Sequence, residues 1–265
     1  MRWGEAIRLL GDYWSYRREA VDEFSIHSPF IFELATAVLY DRTKYPVYQE
    51  TEEIRKNMLQ DNKTIAVEDF GAGSRNRTGT HRKVSSIARN SLKPAKYAQL
   101  LYRLARYYQP VNILEIGTSL GITTSYLAKS HENARVTTME GAPTIAAIAR
   151  GNFDRQQLGN VRIIEGKFEN GLTQTLHTMQ QVDLAYIDGN HKKLPTLTYF
   201  EQILPFTHNN SIIIFDDIYW SNEMKEAWAE IVNNQSVTIT IDLFQMGIAL
   251  FRKESKAKEH FRILL

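Results

Sequence analysis

At 265 residues the chain is long enough for one large domain, or for one core domain with an appended part. Hydrophobic residues make up 43% and charged residues 23%, enough for a real core, and a formal net charge of +2 does not mark a nucleic-acid binder. With no cysteine, disulfides, thiolate nucleophiles and cysteine-type zinc sites are excluded; no apolar run approaches the ~20 residues of a membrane helix, and the charge-mixed N-terminus is unlike a signal peptide, so a cytoplasmic location is expected.

The pattern changes near residue 91, which suggests a 1–90 N-terminal helical or cap region and a 91–265 domain. Residues 3–20 and 29–40 have helical spacing with several aromatics, and 49–60 could form a further helix. "KTIAVEDF" reads as a short strand. It runs into "EDFGAGSRNRTG", residues 68–79, whose Gly71, Gly73 and Ser74 look like a cofactor loop. No strand–helix–strand unit follows; Arg75, Arg77, Arg82 and Lys83 do. This reads as a turn into a mobile basic loop that closes over a site, holds an acidic substrate, or lies solvated on the surface.

After residue 91 the rhythm becomes regular. "AKYAQLLYRLARYYQ" is an amphipathic helix. "VNILEIG", "ARVTTMEG", "NVRIIEG", "VDLAYIDG" and "NSIIIFDD" read as five strands. Helices over "ITTSYLAKS", from Pro143 onward, and near 169–180, 194–206 and 222–234 separate them. "SVTITIDLF" and "GIALFRK", joined by "QMG", form a hairpin. The expected class is α/β: a Rossmann-like parallel sheet with helices on both faces, closed by an antiparallel C-terminal hairpin, with a helical N-terminal extension.

Ligands in open α/β sheets bind beyond the carboxyl ends of the strands. "LEIGTSLG" lies at such an end and opens a helix, and Gly117 and Gly121 let backbone pass close to a ligand. Glu140 ends the next strand, where a carboxylate can take two ribose hydroxyls. A pyrophosphate site wants G-x-G-x-x-G, whereas this loop reads E-x-G-x-x-x-G. Glu115 would repel a pyrophosphate but can meet, directly or through water, the ammonium of a methionine moiety. The loop resembles motif I of the class I S-adenosylmethionine-dependent methyltransferases, over about residues 91–253, and so does the arrangement of a parallel sheet closed by a hairpin. That resemblance implies S-adenosylmethionine as cofactor and places Ser119 against its amino-acid part. It also places Phe168 at the adenine pocket, where Lys167 replaces the family's usual acid.

Asp188 ends the fourth strand, and Asp216 and Asp217 end the fifth. Three carboxylates beside a sulfonium are costly without compensation, and a divalent cation such as Mg²⁺ compensates them. Their use as helix caps is the alternative. The pattern resembles metal-dependent O-methyltransferases of the catechol type, and its Asp-Asp more closely those of the macrolide and aminocoumarin sugar type. Such a metal would fix the acceptor oxygens and lower a hydroxyl pKa. Asp188 is expected to serve cofactor and metal alike and to be catalytic with His191. His191 stands where the catechol enzymes carry a lysine and is the candidate general base, ahead of Lys192; Asn190 cannot accept a proton. Tyr219 and Trp220 could wall an acceptor, His27 could reach one, and the aromatics of residues 3–40 pack on the core or on a second subunit in a homodimer. The function expected is O-methylation of a small hydroxylated acceptor, with neither membrane nor nucleic acid as partner. The competing readings are a nucleic-acid methyltransferase using the basic segment 75–96, a cofactor-binding protein without turnover and, more distantly, a nicotinamide-dependent oxidoreductase.

Overall fold

The computed structural model describes residues 3–22, 25–67 and 81–265. The glycine-bearing stretch 68–79, with Gly71, Gly73, Ser74, Arg75 and Arg77, therefore lies outside the described residues. In chain order the elements are α1 (Trp3–Glu19), α2 (Pro29–Leu34, continued by one wider turn Ala35–Leu39), α3 (Pro46–Gln60), β1 (Thr64–Ala66), β2 (His81–Lys83), α4 (Val84–Ser91) and α5 (Ala95–Tyr108). The alternating part follows: β3 (Asn112–Ile116), α6 (Ile122–Ala128), β4 (Arg135–Glu140), α7 (Pro143–Arg155), β5 (Val161–Glu165), α8 (Phe168–Met179), β6 (Leu184–Ile187), α9 (Lys193–Ile203), β7 (Ile212–Asp216) and α10 (Asn222–Asn233). The chain ends with β8 (Ile239–Asp242), β9 (Met246–Leu250) and β10 (Glu259–Arg262).

The chain divides into two compact units, one of residues 41–178 and one of residues 1–40 with 179–265. The break expected at residue 91 falls inside the first of these. In unit 41–178, β4 pairs in parallel with β3 on one side and β5 on the other. Buried Ile113, Leu114 and Ile116 make β3 a core strand, as a parallel strand covered on both faces requires. Pro143 opens α7, where its missing N–H costs nothing.

Two expectations change in this unit. The basic segment is not a loop throughout: Val84, Ile87 and Ala88 recur at helical spacing, and α4 buries them against Met58, Val67, Leu120 and Ala142. Arg82 and Lys83 lie in β2, which pairs antiparallel with β1. Apolar periodicity outweighs local charge here, because burying three aliphatic side chains is worth more than the solvation of the arginines flanking them.

In unit 1–40 with 179–265, β6 pairs in parallel with β7, β7 antiparallel with β9, and β9 antiparallel with β8. The expected hairpin is thus present. It is not the end of the sheet, since β10 pairs in parallel with β8. Every residue of β7 is buried. On β9, Gly247 lies under the indole of Trp228, and a Cβ there would come within 2.6 Å of that ring. Among the described residues, no helix is long and apolar enough to cross a membrane.

Candidate active site

In unit 41–178, the chain leaves β3 and reaches α6 through residues 117–121. Gly117, Ser119 and Gly121 all have left-handed backbone, with φ of 108°, 47° and 82°. The N–H groups of Gly117 and Thr118 both donate to the Met139 carbonyl at 3.0 Å, which pins the loop to β4. A side chain at Gly121 would stand 2.5 Å from a ring carbon of Phe153, so this position requires glycine for space as well as for φ.

Glu140, at the end of β4, clamps the same loop. Its Oε2 accepts from the Ser119 N–H at 2.8 Å and its Oε1 from the Ala142 N–H at 3.0 Å. These two bonds orient the carboxylate at the mouth of the loop. The Ser119 hydroxyl is buried and has no hydrogen-bond partner among the described residues. Left-handed backbone, an oriented carboxylate and a buried hydroxyl awaiting a partner together fit a polar nucleoside ligand. Phe168, the first residue of α8, is half-buried, and Lys167 beside it is exposed.

Glu115 departs from expectation. Its carboxylate is fully buried and accepts from the hydroxyls of Thr123 at 2.6 Å, Thr124 at 2.5 Å and Thr138 at 2.6 Å. It ties β3 to the first turn of α6 and to β4, so it has no exposed oxygen to offer a methionine ammonium. The physical reason is the "TT" at the start of α6, which places two hydroxyls where a buried carboxylate needs donors. The Thr138 hydroxyl is also 2.6 Å from that of Thr118, so the network reaches the loop.

In the other unit, β6 delivers Asp188 and β7 delivers Asp216 and Asp217. The Asp188 carboxylate accepts from the Tyr186 hydroxyl at 3.2 Å and lies 3.3 Å from His191 Nε2. Asn190 and His191 have positive φ, 64° and 32°, which folds "DGNH" into a tight turn that returns the imidazole to Asp188. Asn190 donates to the Tyr199 hydroxyl at 2.7 Å. Asp217, also left-handed at φ 53°, donates its N–H to the Gln245 carbonyl at 2.8 Å. Asp216 is only 3% exposed.

Burial by itself would lower the His191 pKa. The hydrogen bond and charge of Asp188, then the charges of Asp217 and Asp216, outweigh it and push the value up to about 9. The charges of all three aspartates thus act on the one imidazole. The aspartates are not helix caps: α10 is capped by the Ser221 hydroxyl, and α9 has no side-chain cap. Yet among the described residues no three His, Asp or Glu side chains are spaced to hold one metal ion. Three carboxylates are the right kind of donor for a hard divalent cation, but their present spacing does not close on one.

Lys192 is exposed at the start of α9, and His27 is exposed. Trp220 is 40% exposed, its ring 6.4 Å from that of His191. Tyr219 turns the other way, stacking on Phe244 at 4.7 Å and donating to Asp242 at 2.7 Å. Sequence reasoning missed the three threonines around Glu115, although "ITTS" directly after the glycine was a signal. It also missed Arg8, whose backbone partners lie more than 200 residues away.

Residues 114–218 match a family described as a methyltransferase domain. The chain is 34% identical over 126 residues to a catechol O-methyltransferase of Niastella koreensis, a stretch covering 46% of this chain and 55% of that protein. It is 28% identical over 128 residues to a catechol O-methyltransferase of Mycobacterium tuberculosis, covering 47% and 56%. The chain thus spans about half the length of the curated relatives it matches. Among solved structures, the Podospora anserina methyltransferase PaMTH1, crystallised with S-adenosylhomocysteine, is similar with a TM-score of 0.60. That likeness has 17% identity and covers 86% of this chain and 97% of that one. The O-methyltransferase TomG of Streptomyces achromogenes, solved with S-adenosylmethionine, has a TM-score of 0.58 at 16% identity, covering 84% and 95%. The fold is that of the class I methyltransferases.

Proposed function

We propose that this chain, which carries a methyltransferase domain in the class I S-adenosylmethionine-dependent fold, transfers the cofactor's methyl group to a hydroxyl of a small acceptor. Catechols are the first acceptors to try, since two sequence relatives carry that name. One observation carries the reading: Glu140 and loop 117–121 are locked together by the Ser119–Glu140 hydrogen bond at the mouth of β3 and β4. In this reading Glu140 takes the ribose hydroxyls, Gly117, Ser119 and Gly121 line the amino-acid part, and Phe168 flanks the base. Glu115 acts from behind, holding the loop.

Asp188, His191, Asp216 and Asp217 form the proposed acceptor side. Transfer forms a carbon–oxygen bond as the carbon–sulfur bond breaks, and the hydroxyl must lose its proton. Asp188 holds and orients His191, which takes that proton only in its neutral form. The surrounding carboxylates keep it charged at neutral pH, so its fraction as a base is small there. The reading includes a divalent cation at Asp188, Asp216 and Asp217, which would supply the charge that eases loss of the hydroxyl proton; holding it requires these side chains to draw closer together. A homodimer contact through the exposed Ile7, Leu10 and Trp14 of α1 goes with this reading and is checked by sedimentation.

The test is direct. Calorimetry of the folded chain with S-adenosylhomocysteine should show saturable binding that Glu140→Ala abolishes. Incubation with S-adenosylmethionine, Mg²⁺ and a panel of catechols and sugars should give a methyl ether, detected by mass. No cofactor uptake by folded protein ends the reading; full turnover in excess chelator removes the metal from it.

A further inference from the structure

The acceptor-side residues Asp217 and Trp220 sit on one turn, residues 217–220, between β7 and α10. What fixes that turn is not local. Its internal bond, Trp220 N–H to Asp217 carbonyl at 2.8 Å, closes it but does not aim it. Asp217 is held in left-handed backbone, a conformation that persists in a non-glycine residue only where the surroundings impose it.

The Gln245 carbonyl accepts from the Asp217 N–H, and Asp242 and Phe244 hold the Tyr219 side chain; the remaining groups that hold the turn come from α1. Arg8 Nη2 donates to the Trp220 carbonyl at 2.8 Å, and its Nη1 donates to the Tyr219 carbonyl at 3.3 Å. The same Nη1 donates to Asp12 Oδ2 at 2.9 Å, one helical turn along α1. The other Asp12 oxygen accepts from Lys225 Nζ at 2.7 Å, just inside α10. The Tyr219–Trp220 end of the turn, and the start of the helix that follows it, are thus tied to two residues of α1. A planar guanidinium can serve two carbonyls and a carboxylate at once; an ammonium cannot do so in fixed directions. Beside these bonds lies a cavity of about 480 Å³, lined by Asp12, Tyr16, Tyr219, Lys225, Asp242 and others. Packing on that side is incomplete, although Ile218 is buried and Tyr219 stacks on Phe244, so the hydrogen bonds carry part of the turn's support.

We infer that Arg8 is a positioning residue for the acceptor side: through the carbonyls of Tyr219 and Trp220 it sets the turn that aims Asp217 and the Trp220 ring beside His191. This rests on the methyltransferase reading for its catalytic consequence, but not for its structural one.

Two readouts separate the two. By hydrogen exchange, Arg8→Ala should speed exchange of the Asp217 and Trp220 amides at least ~10-fold while the β7 amides stay protected. Under turnover with S-adenosylmethionine, Mg²⁺ and a simple catechol, Arg8→Ala should lower kcat/KM for the acceptor by about 10- to 100-fold, the cost of a small misplacement. The dissociation constant for S-adenosylhomocysteine should stay within about twofold, and Arg8→Lys should recover only part of the loss. Lys225→Met, which releases Asp12, should show a weaker form of the same pattern and serves if Arg8→Ala does not fold. Unchanged exchange at 217–220 in a folded Arg8 variant overturns the inference. So does a loss of cofactor affinity and melting temperature in step with turnover, which would make Arg8 part of the frame only. A wild-type chain that neither binds cofactor nor turns over refutes the methyltransferase reading instead, and the exchange result still decides the role of Arg8.

Discussion

Gly121→Ala tests the loop at its tightest point. Two separate costs attach to it. At φ 82° an L-residue pays about 1–2 kcal/mol for left-handed backbone. The new methyl would also sit 2.5 and 2.7 Å from two carbons of the Phe153 ring. Phe153 is buried, 5% exposed, so its ring has little room to retreat, and overpacking of this kind costs about 1–3 kcal/mol. The sum, roughly 2–5 kcal/mol, is a large share of an ordinary domain's stability yet leaves the chain folded. Thermal unfolding by circular dichroism should show a midpoint lower by on the order of 10 °C. Calorimetry should show weakened S-adenosylhomocysteine binding, because Ser119 and Glu140 share the displaced loop. Phe153→Leu separates the two costs. Shortening the ring relieves the steric part and not the backbone part, so the double variant should be more stable than the sum of the singles by about 1–3 kcal/mol. Strict additivity, or an unchanged midpoint in Gly121→Ala alone, refutes the reasoning.

Two more predictions concern buried acids. Glu115→Ala leaves the hydroxyls of Thr123, Thr124 and Thr138 without their acceptor in a sealed site; urea unfolding should record a loss of about 3–5 kcal/mol, and a loss under ~1 kcal/mol would show that the network is not structural. Asp242 has its pKa raised by burial to about 6, against the opposing pull of the Phe244 N–H and the Tyr219 hydroxyl, with Arg262 Nε 3.6 Å off. The folded chain thus holds this proton more tightly than the unfolded chain does. Its contribution to stability is complete below pH 3.8, falls as pH rises toward about 6, and is gone above that. The total is about 3 kcal/mol. Asp242→Asn should gain on wild type by up to that amount between pH 4 and pH 6.5 in urea titrations, and a pH-independent difference refutes the assignment.

How much of this was legible in sequence follows from where the partners of each residue lie. β3, β6 and β7 were plain because a strand buried on both faces must be apolar in nearly every position, and "NILEI", "LAYI" and "IIIFD" are. The acids that follow them were plain for the same reason: a charge at the end of such a run has to lie at the sheet's mouth. Their roles were less legible, because a role depends on the next neighbour. Glu115 looked like a ligand contact until its three hydroxyl partners, 8, 9 and 23 residues away, accounted for it. His191 was legible as a candidate base, but the rise in its pKa from the charges of three carboxylates was not. α4 was hidden because its apolar stripe of Val84, Ile87 and Ala88 is embedded in basic residues. α1 is the extreme case. Its spacing gave the helix, and its aromatics gave the packing on Phe244, but not Arg8 reaching 212 residues along the chain to a backbone carbonyl, because a carbonyl has no sequence signature. Side chains that read other side chains leave complementary residue types for a reader to find. Side chains that read backbone leave only an arginine among the 32 basic residues of the chain. The residues that aim a site are therefore harder to see in a sequence than those that occupy it, and here the difference separates Asp217 from Arg8.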